Sequence, residues 1–410
     1  MKLNKSKKDP ELYYYSDTKG KKKWMYRHKY YDQYGKRREK KGRFNTEKEA
    51  YQALLKLKVD TIRGATKPVE FSNYTVAQWF DTWYETYKHN WKISTRTQRE
   101  SAIRVHIKPL LGSYKLSELS RSTFQKEFIN TLLNDSKKPK EPSTVKSLYS
   151  IFKIGINSAV EEEIIPRNRF TKLQIGIEKN EEDKKKDKNE KKKNASKSSL
   201  KGNYLEAHEL NKLLVKAKKI LNITNYTLLL TLAYTGLRKG EGNGLCWNDI
   251  DFENRTLTIE RTRDNKGVRP PKTDNSYRII VLDESIIDQL KTYKIWCKKT
   301  LLAFGRHLKE EDFVFISYQT GRPLSDNTVN NALDRVIKKV GIKRITPHGL
   351  RHTHATILLN DKENRSTVED VAARLGNTPE EIHKTYHHIL QERKKETATL
   401  FTELVSSAGN

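Results

Sequence analysis

Cysteine is nearly absent from this sequence. Cys246 and Cys297, the two present in 410 residues, are too few and too isolated for a disulfide framework or a zinc site. A reducing, intracellular compartment is the expectation. Long apolar runs are missing as well. The longest, around Leu228–Tyr234, is short and interrupted by Thr231, so no membrane span and no membrane partner are expected. Residues 1–12 are basic but lead into no apolar stretch, which argues against a signal peptide. There is also no dense carboxylate cluster of the kind two-metal nucleases need. Asp249 and Asp251 lie close together but read as structural residues at the start of a hairpin. Acids are scarce overall: 51 Asp and Glu face 81 Lys and Arg, giving a net charge of +30 and a pI near 9.7. Such an excess implies a polyanionic partner, nucleic acid above all, because phosphate neutralisation releases counterions. A surface that only had to be soluble would mix the two signs.

The charge is unevenly spread. Residues 1–67 hold 21 Lys and Arg against 8 Asp and Glu. Within them Tyr13–Tyr15, Lys23–Tyr31 and Lys36–Arg43 read as three strands, with turns at Asp17–Gly20 and Asp32–Gly35. A helix follows, capped by Asn45 or Thr46 and burying Ala50, Leu54, Leu57 and Val59. A small sheet on one helix, with basic residues interleaved with aromatics, suits insertion into a major groove; Arg27, Lys29, Lys36, Arg37, Arg38 and Arg43 are its candidate DNA contacts. A second block, residues 71–177, is a helical bundle. Val76, Trp79, Phe80 and Trp83 share one face of its first helix, and further helices are expected near 95–108, 120–134 and 143–161, with a stop at Pro109-Leu-Leu-Gly112. Thr95, Arg96, Arg99 and Lys146 are its candidate phosphate contacts. Residues 178–203 contain ten lysines and six acids, with only Ala195 and Leu200 apolar, and read as a tether. Residues 204–410 form a mainly α domain with a small antiparallel sheet, in which Thr256–Arg261 and Arg278–Leu282 frame a hairpin around Lys272. Helices are expected there over 205–221, 227–234, 284–302, 325–340, 347–360, 366–375, 379–386 and 389–405.

Five residues of this last block make a kit for phosphodiester chemistry without a metal. Cleavage adds negative charge to the nonbridging oxygens, and Arg238 and Arg351 are the forks to meet it. Tyr386 is the nucleophile. Its ordinary pKa of about 10 is a difficulty that two guanidiniums and an imidazole would ease by favouring the phenolate. His348 lies three residues before Arg351, so both point to one phosphate, and it can accept the phenol proton or bond a phosphoryl oxygen. Lys272 is the candidate proton donor to the leaving 5′ oxygen. Taken singly, each has an ordinary explanation: a half-buried aromatic, a helix-start histidine, a turn lysine. Their joint order and spacing favour the chemical one.

At these residues the chain resembles the tyrosine recombinases, the integrases of phages and conjugative transposons. Thr235-Gly-Leu-Arg-Lys-Gly-Glu241 followed by Leu245-Cys-Trp-Asn-Asp-Ile-Asp251 is similar to that family's first arginine box. Pro271-Lys-Thr-Asp-Asn-Ser-Tyr-Arg278 is similar to its hairpin-lysine motif. His348-Gly-Leu-Arg-His352 and Leu375-Gly-Asn-Thr-Pro379 with Thr385-Tyr-His-His388 are similar to its second and third boxes. The resemblance implies a multidomain fold, mainly α with small β-sheets: a three-stranded arm-binding domain with one helix (1–67), a helical, SAM-like core-binding domain (71–177), a Lys-rich linker (178–203) and a mixed α/β catalytic domain (204–410) with a C-terminal tail over 391–410. It implies that Tyr386 attacks DNA to leave a 3′-phosphotyrosine and a free 5′ hydroxyl, with neither ATP nor metal nor any other cofactor. Double-stranded DNA carrying core and arm sites is the implied partner, met by a homotetramer, with an excisionase or a host DNA-bending protein as accessory factor. A cytoplasmic, nucleoid-associated enzyme of a bacterial or phage-borne mobile element follows. One position departs from the pattern. The family has His or Trp after the Leu-Gly of the third box, where this chain has Asn377; a reduced catalytic contribution is expected there. His352 and His354 are expected to be structural or phosphate-adjacent. A type IB topoisomerase and a weakened, DNA-binding regulator descended from a recombinase are the competing readings.

Overall fold

The computed structural model describes residues 3–32, 35–62, 67, 71, 73–136, 138–175, 202–271, 273–361, 366–387, 389–390 and 406. The chain divides into two units, residues 1–178 and 179–410. Residues 178–201 of the tether, Lys272, nearly all of the tail (391–405 and 407–410) and, with it, the expected helix beyond residue 390 lie outside the described residues.

The first unit holds two cores. In the N-terminal one, strands β2 (Leu12–Ser16), β3 (Lys22–Tyr31) and β4 (Arg37–Phe44) form an antiparallel meander, and a two-residue strand β1 (Asn4–Lys5) adds a fourth at the edge. Alternation along the strands separates two faces. Leu12, Tyr26 and Tyr30 turn toward helix α1 (Glu47–Ile62) and pack on Ala50, Leu54 and Leu57. The opposite register carries Tyr13, Met25, Arg27, Lys29, Arg37, Lys41 and Arg43. Val59 was expected on the buried face of α1 but is 44% exposed. Two residues beyond Leu57, it is rotated about 200° from it, off the face that meets the sheet.

The second core is a helical bundle. Thr75 starts helix α2 (Val76–Tyr87) with a reciprocal capping box to Gln78, and Val76, Trp79, Phe80 and Trp83 are buried as their spacing requires. Helix α3 runs from Ile93–Ala102 through a π-helical segment, Ile103–Ile107, into Lys108–Leu111. The expected stop at Pro109-Leu-Leu-Gly112 falls at the end of that motif: the helix passes through Pro109 to Leu111 and is capped by Gly112. Proline takes a hydrogen-bond donor out of the ladder, and the wider π turn just upstream is a common way for a helix to absorb such a defect. A second π segment, Gln125–Asn130, lies within helix α4 (Arg121–Leu133). Helix α5 (Pro142–Glu161) meets α2 closely at Gly155. A Cβ there would sit 2.6 Å from the Phe80 ring, and the Gly155 carbonyl accepts the Trp79 indole N–H at 2.8 Å.

In the second unit, helix α7 (Ile223–Thr235) is the centre, buried nearly all round and packed against α6 (Ala207–Ile220), α9 (Glu284–Ala303), α10 (Thr328–Val340) and α11 (Pro347–Leu359). Its buried threonines stay satisfied within the fold: Thr231 and Thr235 donate to carbonyls one turn back, and Thr227 accepts from Gln289. A short helix α8 (Lys239–Gly244) precedes a three-stranded sheet of β5 (Ile250–Asp251), β6 (Thr256–Ile259) and β9 (Arg278–Val281). Between β6 and β9 the sequence makes a second small hairpin, β7 (Thr262–Asp264) with β8 (Gly267–Arg269), which the residue pattern did not announce. Asp249 is structural as expected: it accepts from the Cys246 N–H and from Arg261. Helix α12 (Val368–Leu375) and a helix over 379–387, α13, complete the described part.

Candidate active site

Four of the five chemical residues, and Asn377 with them, converge at one place in the second unit. Two left-handed turns make this possible. Helix α7 ends at Gly236 (φ 66°), where a Cβ would strike Leu375 and His354, and the chain reverses into Arg238. Arg238 is the N-cap of α8. Its backbone N–H and its guanidinium both donate to Glu241, at 3.0 and 2.7 Å. Helix α12 ends at Gly376 (φ 65°) in a Schellman arrangement, with Gly376 N–H on the Ala373 carbonyl and Asn377 N–H on that of Ala372. A Cβ at Gly376 would lie 2.7 Å from the Asn275 carbonyl, so glycine is required twice over.

The Asn377 side chain is thereby fixed between the arginines. Its Oδ1 accepts from Arg238 Nη2 at 2.8 Å and from Arg351 Nη2 at 2.9 Å. One oxygen atom joins both forks. Arg351, on α11, is only 3% exposed and gives its other nitrogen to the Gly236 carbonyl. Burial, with Arg238 nearby, pushes its guanidinium pKa down to about 9, so it remains a cation at neutral pH.

The cations are balanced from below by Glu241, itself 3% exposed. Burial pushes its carboxyl up, but Arg278 and Arg238 outweigh that and hold it below its ordinary value. Arg278 is the fastener: Nη2 donates to Glu241 at 2.9 Å, Nε to the Arg374 carbonyl at 2.8 Å and Nη1 to Ser276. It ties the end of α12, the hairpin and the first arginine box together. A cavity of about 420 Å³ opens beside this network, lined by Arg238, Glu241, Thr262, Pro271, Thr273, Asn377 and neighbours.

Tyr386, on α13, is 2% exposed within a cluster that includes Ala355, Leu359, Ala372 and Ile382. Its phenol contacts Nδ1 of His352 at 2.9 Å; His348, the residue expected to serve it, stacks edge-on against His352 with ring centres 4.6 Å apart. The phenolate expectation is not met. Burial raises the Tyr386 pKa, and the lowering by Arg351 is too small to offset it. His348 is pushed down by burial and by both arginines. His354 is structural: its Nδ1 bonds the Ala233 carbonyl and Arg374 donates to its Nε2.

Glu241, Arg278 and His352 were given no chemical part in the sequence. Two of them had a readable signal, since Glu241 follows Arg238 by three residues and His352 follows His348 by four. Among the candidate DNA contacts, Arg27, Lys29, Arg37 and Arg43 share the sheet face turned away from α1, with Arg27 paired to Glu39. Lys36 is exposed just before β4. Arg38 departs from them: it lies in the register of Tyr30 and is bonded to the buried Asp32. Arg96 and Lys146 are exposed and Thr95 is half-buried, while the Arg99 guanidinium lies 4.1 Å over the Trp91 ring. Among the described residues no group of three or more His, Cys, Asp or Glu is placed to hold a metal ion.

Three family models match this chain: the phage integrase family over residues 203–393, the N-terminal SAM-like domain of phage integrases over 75–133, and an arm DNA-binding domain over 13–61. The chain belongs to the phage integrase family, the tyrosine recombinases. Its enzymatic class is accordingly DNA strand cleavage and rejoining. A tyrosine recombinase XerC-like protein of Caldanaerobacter subterraneus subsp. tengcongensis is 27% identical over 397 residues, spanning 91% of this chain and 94% of that protein. The integrase of Staphylococcus phage L54a is 29% identical over 182 residues, covering 42% of this chain and 50% of that one. Among solved structures, the Tn1549 transposon integrase in complex with a circular intermediate DNA aligns with a TM-score of 0.59 at 20% identity, covering 76% of this chain and 95% of that one. A lambda integrase dimer bound to a core site aligns with 0.54 at 18% identity, covering 93% and 96%. These structures share the fold.

The Glu241 network sets a stability expectation. Its folded pKa lies below the unfolded one, so its contribution is complete above about pH 4.5 and is lost as pH falls through the lower, folded value. Glu241→Gln leaves two guanidiniums without their counter-charge and should destabilise the second unit by about 3–5 kcal/mol at pH 7. Urea unfolding of both proteins from pH 7 down to pH 3 should show that gap shrinking below pH 4.5; a pH-independent gap would contradict the ionic account.

Proposed function

We propose that this tyrosine recombinase integrates, and excises, a mobile element by attack of Tyr386 on a core-site phosphate. Arg238 and Arg351 grip the nonbridging oxygens, His348 bonds the phosphoryl group, and Lys272 protonates the 5′ oxygen as it leaves. The product is a 3′-phosphotyrosine and a free 5′ hydroxyl, and the hydroxyl of a partner strand reseals the break. The covalent link keeps the bond energy, so no nucleotide is consumed. What supports this reading is the convergence of both guanidiniums on one oxygen, Asn377 Oδ1. An oxygen held at 2.8–2.9 Å by two arginine forks has the surroundings a phosphoryl oxygen needs. Asn377 is then displaced from that position, or shares it, when DNA arrives.

The front half serves binding. Residues 1–67 hold arm DNA through the sheet face of Arg27, Lys29, Arg37 and Arg43, with Lys36 beside it; residues 71–177 hold the core site through Arg96, Lys146 and Thr95; residues 178–203 link them to the catalytic domain of 204–410. Lambda integrase has been solved as a tetramer bound to a Holliday junction, which supports a tetramer of this chain on two DNA sites. An excisionase or a host DNA-bending protein is proposed to set direction, and the tail over 391–410 to pack on a neighbouring protomer.

A nicked suicide duplex built from the end junctions of the element, incubated with the protein in EDTA, tests the chemistry. The wild type should form a covalent adduct and Tyr386→Phe none; absence of an adduct with the wild type would sink the reading, and site-independent relaxation of supercoiled plasmid would favour a topoisomerase. In the same assay Asn377→Asp, which sets a carboxylate between the forks, should cut adduct formation by about 100-fold or more, as loss of phosphate stabilisation does elsewhere. Unchanged cleavage would mean that Asn377 is remote from the phosphate. Removing residues 1–67 should abolish tight binding to arm duplex in a gel-shift titration and leave core-duplex binding in place; equal arm affinity would refute the division of labour.

A further inference from the structure

The position of His352 carries an inference beyond the expected catalytic set. The Tyr386 phenol is buried, and among the described residues its oxygen has one hydrogen-bond partner, Nδ1 of His352 at 2.9 Å. A buried phenol must place its proton somewhere. If Nδ1–H donated to the phenol, the phenol proton would lack an acceptor among the described residues. With the proton of His352 on Nε2, both groups are satisfied: Oη donates and Nδ1 accepts. His352 lies one turn after His348 on α11, and its ring stands perpendicular to that of His348.

We propose that His352, and not His348, is the general base that takes the proton of the nucleophile in the recombination reaction. The inference rests on the reading of Tyr386 as that nucleophile. In the forward step the Oη–H proton moves to His352 Nδ1 as the Oη–P bond forms and the P–O5′ bond breaks, and the leaving 5′ oxygen takes its proton from a separate acid. On resealing, the 5′ hydroxyl returns its proton to the conjugate base of that acid as it attacks phosphorus, the Oη–P bond breaks, and the imidazolium of His352 returns the other proton to Tyr386. Protons and electron pairs balance in both directions with no further reactant.

The electrostatics fit a base that is switched on by substrate. Among the described residues, the groups acting on His352 are His348 and Arg351 of its own helix and Tyr386 of α13. Burial, then His348 and Arg351, push its pKa down to about 4, so it is neutral and free to accept at pH 7. It is also too weak a base to strip a buried phenol. A bound phosphodiester brings a negative charge against Arg351 and Arg238, which raises the proton affinity of His352. The nucleophile therefore stays protonated until a phosphate is seated.

The test uses the full-length protein and the nicked suicide duplex, in single turnover at saturating DNA. His352→Asn keeps a hydrogen-bond acceptor near the position of Nδ1 but cannot take a proton. A base should leave this variant about 100-fold slower at pH 7, with a rate rising in proportion to hydroxide up to pH 9. A residue that only positions the ring should leave it within about threefold of wild type, with an unchanged pH profile, and that result overturns the proposal. A duplex whose 5′ bridging oxygen is sulfur supplies the second reading. The thiol leaves without an acid, so it should restore Lys272→Ala but not His352→Asn; equal rescue of both overturns the assignment. Imidazole in the buffer should raise the rate of His352→Ala at least tenfold, which guards against a misfolded Asn variant. Failure of the wild type to form an adduct would instead count against the recombination reading itself.

Discussion

One buried carboxylate allows the rest of the site to exist. Arg238, Arg278 and Arg351 crowd a region where burial already disfavours charge, and mutual repulsion should drive them apart. Glu241 sits beneath them, bonded to Arg238 and Arg278, and its ionised state is the one both neighbours stabilise. The same carboxylate caps the short helix that presents Arg238. Through Arg278 it reaches the last turn of α12, and so the Gly376 turn and Asn377. The first arginine box, the hairpin and the turn before the third box are thus mechanically one object, joined through a buried carboxylate.

That arrangement leaves a net positive surplus, which is what a phosphate site requires. It would also be expected to favour the phenolate of Tyr386, yet burial raises that pKa. Two opposed terms meet at the phenol: the field of Arg351 favours the anion, and enclosure among Ala355, Leu359, Ala372 and Ile382 disfavours it. Enclosure wins. A reactive phenolate carried by an enzyme between targets would have no productive outlet. A neutral phenol next to a neutral imidazole stores the same chemistry safely.

Much of this was legible before any coordinates. The helix over α2, with its four buried aromatics and aliphatics, and the three strands of the front sheet follow from period and turn chemistry alone. Arg238, His348, Arg351 and Tyr386 were legible through their joint order and spacing, since each taken singly has an ordinary explanation. Other features were illegible for identifiable reasons. The helix that stops at Pro109-Leu-Leu-Gly112 runs through the proline to Leu111 first, and sequence rules do not foresee the π turn that precedes it. The β7–β8 hairpin is two strands of three residues, too short for alternation to show. Arg278 acts at a distance of 37 residues from Glu241 and 96 from Arg374, a relation that no local window contains. His352, one residue beyond Arg351 and one turn after His348, was equally within reach of helical spacing.

Asn377 is where geometry most alters the meaning of a residue. Judged by its family's pattern, a short amide replaces a larger donor, and a weaker contribution is the natural inference. Its role in the free protein is instead that of an acceptor. Trp offers only an N–H, and a protonated His only donors, so neither could accept from two guanidiniums at once. An amide can, because Oδ1 has two lone pairs, while its NH₂ remains for a phosphoryl oxygen. The Schellman turn at Gly376 holds this side chain at the meeting point of the arginines without a long, flexible stem. Two forks already aimed at one oxygen need little reorganisation when a phosphate supplies another, and preorganisation of that kind is the main way in which fixed charges lower a barrier. On the proposed reading, the amide at this position serves as a brace between the two arginines.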